Sequence, residues 1–135
     1  MQLDHINSLD QLEAECITID KILALTISEQ PAEALERGSD LAVYIARTGK
    51  MMCDAKWHQD KAKTEAIIQG SNAGLAKQLS ATSFNEYVRS CITKENLIAN
   101  WTERLHRTCE KQWEWCRSIL SYAKEEMKMG GMSGR

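Results

Sequence analysis

Apolar residues recur every three or four positions along most of this chain, and nowhere do they alternate with polar ones over a strand's length. The widest stripe lies in the last third: Leu97, Ile98, Trp101, Leu105, Cys109, Gln112, Cys116, Ile119, Leu120, Ala123 and Met127. The run from Lys94 to Met129 that carries it contains neither Gly nor Pro. At about 1.5 Å per residue, it predicts a helix about 54 Å long. A globule of this chain length is roughly 28–30 Å across. The helix must therefore lie along other long helices, of this chain or of a partner.

Earlier segments repeat the pattern. Ser8 and Gln11 form a capping box, and Leu9, Leu12, Cys16, Ile19, Leu23 and Ile27 predict a first helix from about Leu9 to about Ser28. Pro31 ends it and opens a second helical region near Ala32, which Gly38-Ser39-Asp40 either interrupts or weakens. The seam of this second helix reads Leu41, Ile45, Thr48, Met52, Ala55, Gln59, Ala62 and Ala66. Its alanines allow another helix backbone to approach closely. Gly70 to Gly74 is a turn signal, followed by a short helical piece over Leu75 to Leu79. Ser83 with Glu86 predicts a capped short helix through about Cys91, and Thr93 is the expected cap of the long last helix. The tail from Gly130 to Arg135 has no packing signal and is expected to fray. The expectation is an all-α antiparallel bundle of three long helices and one or two short ones. It forms a single domain over residues 1–129 with a flexible tail over 130–135.

Composition changes this picture little. The 135 residues suffice for one continuous core. No apolar run is long enough to span a membrane, and the first residues lack the basic start and apolar stretch of a signal peptide. The five cysteines (Cys16, Cys53, Cys91, Cys109 and Cys116) contain no CxxC pair, and four fall within apolar stripes. They read as free thiols in a reducing compartment. A zinc site would require His and Cys to converge from different helices. The formal net charge of −2 conceals an asymmetry: −6 over residues 1–38 and +4 over residues 39–135. An acidic first segment can lie against the more basic later helices, within or between subunits.

Candidate chemistry is sparse. Glu103-Arg104-Leu105-His106 has the Glu-x-x-His spacing of di-iron bundles, but such a site needs two of these motifs and further glutamates. His106 is accordingly expected on the surface, and pairing it with Cys109 gives no catalytic dyad, since only Cys109 falls on the apolar face. His58, four residues after Asp54, completes no second motif. No phosphate-binding glycine loop is present. No catalytic residue, metal ligand or cofactor is assigned. The binding candidates are Trp57 with Lys56 and Lys61, an aromatic among cations, and Arg107, Lys111 and Trp113 on the last helix. Trp113 and Trp115 straddle the stripe and cannot share one core. Arg104, Arg107, Lys111 and Arg117 are interleaved with Glu103, Glu110 and Glu114, which disfavours duplex nucleic acid as a partner. Gln59 and Gln112, polar residues on apolar seams, are expected to set register between helices.

The run Glu103-Arg104-Leu105-His106-Arg107-Thr108-Cys109, followed by Gln112 and by Arg117-Ser118-Ile119-Leu120-Ser121-Tyr122-Ala123-Lys124-Glu125-Glu126-Met127, resembles small helical proteins of uncharacterised role carried by phages and prophages of gut bacteria. Ala46-Arg47-Thr48-Gly49-Lys50-Met51-Met52, Asp54-Ala55-Lys56 and Asp60-Lys61-Ala62 are similar in type. The resemblance covers about half the chain. It implies a phage-encoded accessory protein acting in the bacterial cytoplasm and transfers no catalytic residue. The resulting expectation is a non-enzymatic homo-oligomer that binds or sequesters a host or phage protein or a nucleotide-like small molecule, away from membranes. Two other classes stay open: an accessory protein for single-stranded nucleic acid, and a metal- or ligand-dependent enzyme.

Overall fold

A computed structural model describes residues 5–133, with side chains from 5 to 130. Five helices follow one another: α1 (Leu9–Leu23), α2 (Pro31–Asn72), α3 (Leu75–Gln78), α4 (Ala81–Cys91) and α5 (Thr93–Ser133). No strand occurs among the described residues. The chain is an all-α bundle with a long C-terminal helix.

The capping box of α1 forms as expected. Ser8 Oγ accepts from the Gln11 N–H at 3.2 Å, and the Ser8 N–H donates to Gln11 Oε1 at 2.9 Å. The helix stops at Leu23, short of Ser28, because its end is captured by side chains from the other long helices. Arg37 Nη2 donates to the Ile22 and Leu25 carbonyls at 3.1 Å each, and Gln112 Nε2 donates to the Leu23 carbonyl at 2.9 Å. A cation at a helix C-terminus also suits the helix dipole.

In α2, Gly38-Ser39-Asp40 does not interrupt the helix. Gly38 lies where α2 crosses α5, and a Cβ there would stand 3.4 Å from Cys116 Cβ. The predicted turn from Gly70 to Gly74 divides into two roles. Gly70 is still helical and buried, with space for no side chain: a Cβ would stand 2.8 Å from Phe84 Cε2. Ala73 and Gly74 make the turn, Gly74 at φ +81. The cap of α4 is Ser80, whose Oγ accepts from the Ser83 N–H at 3.1 Å, and not Ser83 itself. Thr93 is already helical, since Ile92 ends α4 and α5 starts at once. The last helix continues past Met129 to Ser133; Gly134 and Arg135 lie outside the described residues.

Helices α2 and α5 run antiparallel, with Gly38 against Cys116, Thr48 against His106 and Gln59 against Asn96. Helix α1 lies parallel to α5, from Asp10 beside Lys94 to Leu23 beside Gln112. The main core gathers Leu12, Cys16, Leu41, Met51, Ile98, Leu105 and Cys109, and a smaller one gathers Ala66, Val88 and Ile92. On α2 the fully buried methionine is Met51, not the expected Met52, because the buried positions step 48, 51 and 55. Cys53 and Cys91 are exposed, so three thiols rather than four belong to the interior. The acidic first segment meets its basic counterpart within the chain: Arg47 pairs with Glu15 at 2.6 Å, and Lys94 with Asp10 at 2.8 Å and Glu13 at 3.8 Å.

Candidate functional site

Lys56, Gln59, Asp60, Lys63 and Ile67 follow the helical period and share one face of α2. That face looks across at Phe84, Asn85, Val88 and Arg89 of α4, with Ile92 and Asn96 at the junction with α5. The non-helical backbone at Ile92 (φ −122, ψ 34) marks this junction. Between the helices lies an open groove of about 540 Å³, within the range of small-molecule sites.

The groove carries three cations, Lys56, Lys63 and Arg89, against one carboxylate, Asp60. Among the described residues, Lys56 and Lys63 have no ion-pair partner, and Arg89 meets only exposed Glu86, at 3.5 Å. The floor is apolar: Val88 and Ile92 are buried and Phe84 partly so. Gln59 Nε2 donates to Asn96 Oδ1 at 2.7 Å, which ties α2 to α5 at one end. Unpaired ammonium groups over an apolar floor, with amides at one end, favour a small anion that also has a flat or apolar part.

No family model, curated protein or solved structure matches this chain.

Of the six binding candidates read from sequence, the structure brings only Lys56 to the groove. Trp57 is partly buried on the neighbouring face, edge-on to the His58 ring at 5.0 Å, with Lys61 Nζ 5.0 Å from its ring centroid. On the ring face that Lys61 covers, an incoming base would have to displace that ammonium. Arg107 pairs with Glu103, Lys111 is exposed, and Trp113 packs on the main core beneath Arg117 at 5.0 Å. These three begin about 16 Å along α5 from Asn96 and do not meet the groove. Trp115, on the other side of the stripe, is 51% exposed. Arg89, Asn85 and Asn96 were not singled out beforehand. The polar face of Lys56, Gln59, Asp60 and Lys63 was legible, but its partners come from docking α4 on α2.

His106 departs from its expected surface position. Its side chain is 22% exposed, Nδ1 stands 2.9 Å from Thr48 Oγ1, and Nε2 stands 2.7 Å from Glu110 Oε1. A hydroxyl, an imidazole and a carboxylate in line are the parts of a nucleophile relay. Thr48, however, is 0% exposed, and its Oγ1 also lies 2.7 Å from the Tyr44 carbonyl. No substrate reaches that hydroxyl, so the chain of bonds joins α2 to α5. His58 has a comparable structural duty, with Nε2 2.7 Å from the Asn7 carbonyl oxygen.

Beside it, Asp54 is buried, pairs with Lys50, and accepts from the Asn7 N–H at 3.1 Å. Lys50 Nζ also donates to the His5 carbonyl at 2.9 Å, so the segment before α1 is pinned to α2. Asp54 lies off the predicted seam of Leu41 to Ala66 and is nonetheless buried. The interior thiols are poor nucleophiles. Burial, with Glu15 and Asp20 nearby, pushes Cys16 up to about 11, and burial also raises Cys109 and Cys116. Among the described residues no three His, Cys, Asp or Glu side chains are arranged to hold a metal ion, and no helix is long and apolar enough to cross a membrane.

Proposed function

We propose that this chain is a non-enzymatic binding protein that holds a small phosphate-bearing molecule in the groove between α2 and α4. The observation that carries this reading is the pair Lys56 and Lys63, two cations without ion partners among the described residues, on one wall and faced by Arg89. Charge-assisted bonds to phosphate oxygens would satisfy them. With the resemblance to phage and prophage proteins, the biological role is sequestration of a host signalling molecule in the bacterial cytoplasm. The protein performs it as a homo-oligomer.

Isothermal titration with pyrophosphate and with ribose 5-phosphate tests the reading. Saturable binding is expected, weakened about tenfold or more in Lys56→Ala/Lys63→Ala, since each lost charged hydrogen bond is worth about 1.5–3 kcal/mol. No heat of binding with either compound would refute it. A second reading, single-stranded nucleic acid, draws on the Trp57–Lys61 stack beside Lys56. Affinity that grows with oligonucleotide length and falls steeply with salt would favour it.

A further inference from the structure

We infer that the amide pair Gln59 and Asn96 reads the edge of a nucleobase, so that the ligand class of the groove is a nucleoside phosphate. This inference rests on the groove reading above. The two amides come from different long helices, α2 and α5, and their mutual hydrogen bond of 2.7 Å fixes both side chains. Both residues are partly buried, both line the groove, and neither side chain makes another hydrogen bond among the described residues.

An amide has one oxygen acceptor and one NH2 donor group. When two amides share one hydrogen bond, one of them retains a free oxygen and the other a free NH2. Exchanging N and O in both amides swaps these roles but still leaves one donor beside one acceptor. The pair therefore keeps one donor and one acceptor available to a ligand whichever way the amides are turned. Adenine, guanine, cytosine and uracil each offer a complementary donor next to an acceptor on their pairing edge. A bare phosphate does not, and a sugar phosphate, whose vicinal hydroxyls can pair with an amide, lacks the flat ring that the apolar floor would cover.

The rest of the groove suits the remainder of such a molecule. Ile92 and Val88 give the ring an apolar floor. Lys56 precedes Gln59 by about one turn and Lys63 follows it by about one turn, so a phosphate can be held on either side of the base. Asp60, between those lysines, accepts donors such as sugar hydroxyls. Rigid helices hold the amides in place before binding, which lowers the ordering cost of reading an edge.

The test compares the four nucleoside 5′-monophosphates with ribose 5-phosphate by isothermal titration on the full chain. At least one monophosphate should bind about tenfold or more tightly than ribose 5-phosphate, the discrimination that a bidentate edge contact supplies. In Gln59→Met, which keeps the side-chain length, that ratio should collapse toward one. A purely structural loss would weaken every probe together and leave the ratio unchanged. Equal affinity for all five compounds in the wild type would overturn the amide inference and leave the phosphate groove standing. Selectivity that persists in Gln59→Met would overturn it too. Failure of all five to bind would remove the groove reading itself.

Discussion

Arg37 shows how one side chain on this scaffold does the work of several. A single nitrogen, Nη2, shares its two hydrogens among the Ile22 and Leu25 carbonyls, at and just past the end of α1, and Gln112 Oε1 at 2.9 Å, so one guanidinium joins α1, α2 and α5. Its Nε is buried without a hydrogen-bond partner among the described residues, a cost that this junction outweighs. Cys16 gives the residue scale its test. Its thiol is raised from the ordinary 9.0 to about 11, first by burial and then by Glu15 and Asp20. The folded state favours the neutral thiol, so this stabilisation is complete below about pH 9 and is lost as pH climbs toward about 11. Urea midpoints measured from pH 8 to 11 should fall more steeply for the wild type than for Cys16→Ala. Parallel curves would show that Cys16 does not contribute to alkaline destabilisation.

At the scale of elements, α2 and α5 are held together by close approach and by polar cross-links spaced along their length. Gly38 against Cys116, Thr48 with His106 and Gln59 with Asn96 place a contact every few turns. Glycine has opposite meanings at two points of α2. At Gly70 a Cβ would meet Phe84 at 2.8 Å and Tyr87 at 3.0 Å, both ring atoms packed in the second cluster. At Gly49 the nearest atom would be His106 Cε1 at an ordinary 3.6 Å. Gly70→Ala should therefore destabilise by about 1–3 kcal/mol through overpacking. Gly49→Ala should stabilise by about 0.5–1 kcal/mol through helix propensity. Chemical denaturation of both variants decides the matter, and equal effects would mean that α4 does not seat on Gly70.

For the whole molecule, the two longest helices outrun the rest of the bundle. Past Gln112, where α1 has ended, α5 has the start of α2 as its helical neighbour. Along this arm Leu35, Trp115, Tyr122 and Met127 are 51–78% exposed. Isolated two-helix arms with large exposed apolar side chains gain by burying them against another copy. Light scattering at micromolar concentration should give a mass at least twice 15.3 kDa. Tyr122→Glu/Met127→Glu should lower it toward a monomer with helicity retained. A wild-type monomer would rule out self-association.

The periodicity of the sequence by itself determined the class of fold, the succession of three principal helices with one or two short ones, and much of the main core. Those features follow from local rules: a 3.6-residue period, the capping box of Ser8 and Gln11, and the fitness of Pro31 for the first position of a helix. It also marked Gln59 and Gln112 as amides that must find partners, and each does so across helices. Only the tertiary structure decided the rest. The end of α1 depends on Arg37 and Gln112 arriving from distant positions, and Gly70 is buried because aromatic rings of α4 fill its vacant side. His106 is drawn inward by Thr48, and Asp54 is buried because the segment before α1 closes over it. The groove combines a legible polar face of α2 with Arg89 and Asn96, whose approach depends on how α4 and α5 dock. Hydrophobic period records which way a residue faces along its own helix. It carries no record of which residue of another helix will stand opposite, and it is that opposition which makes a site.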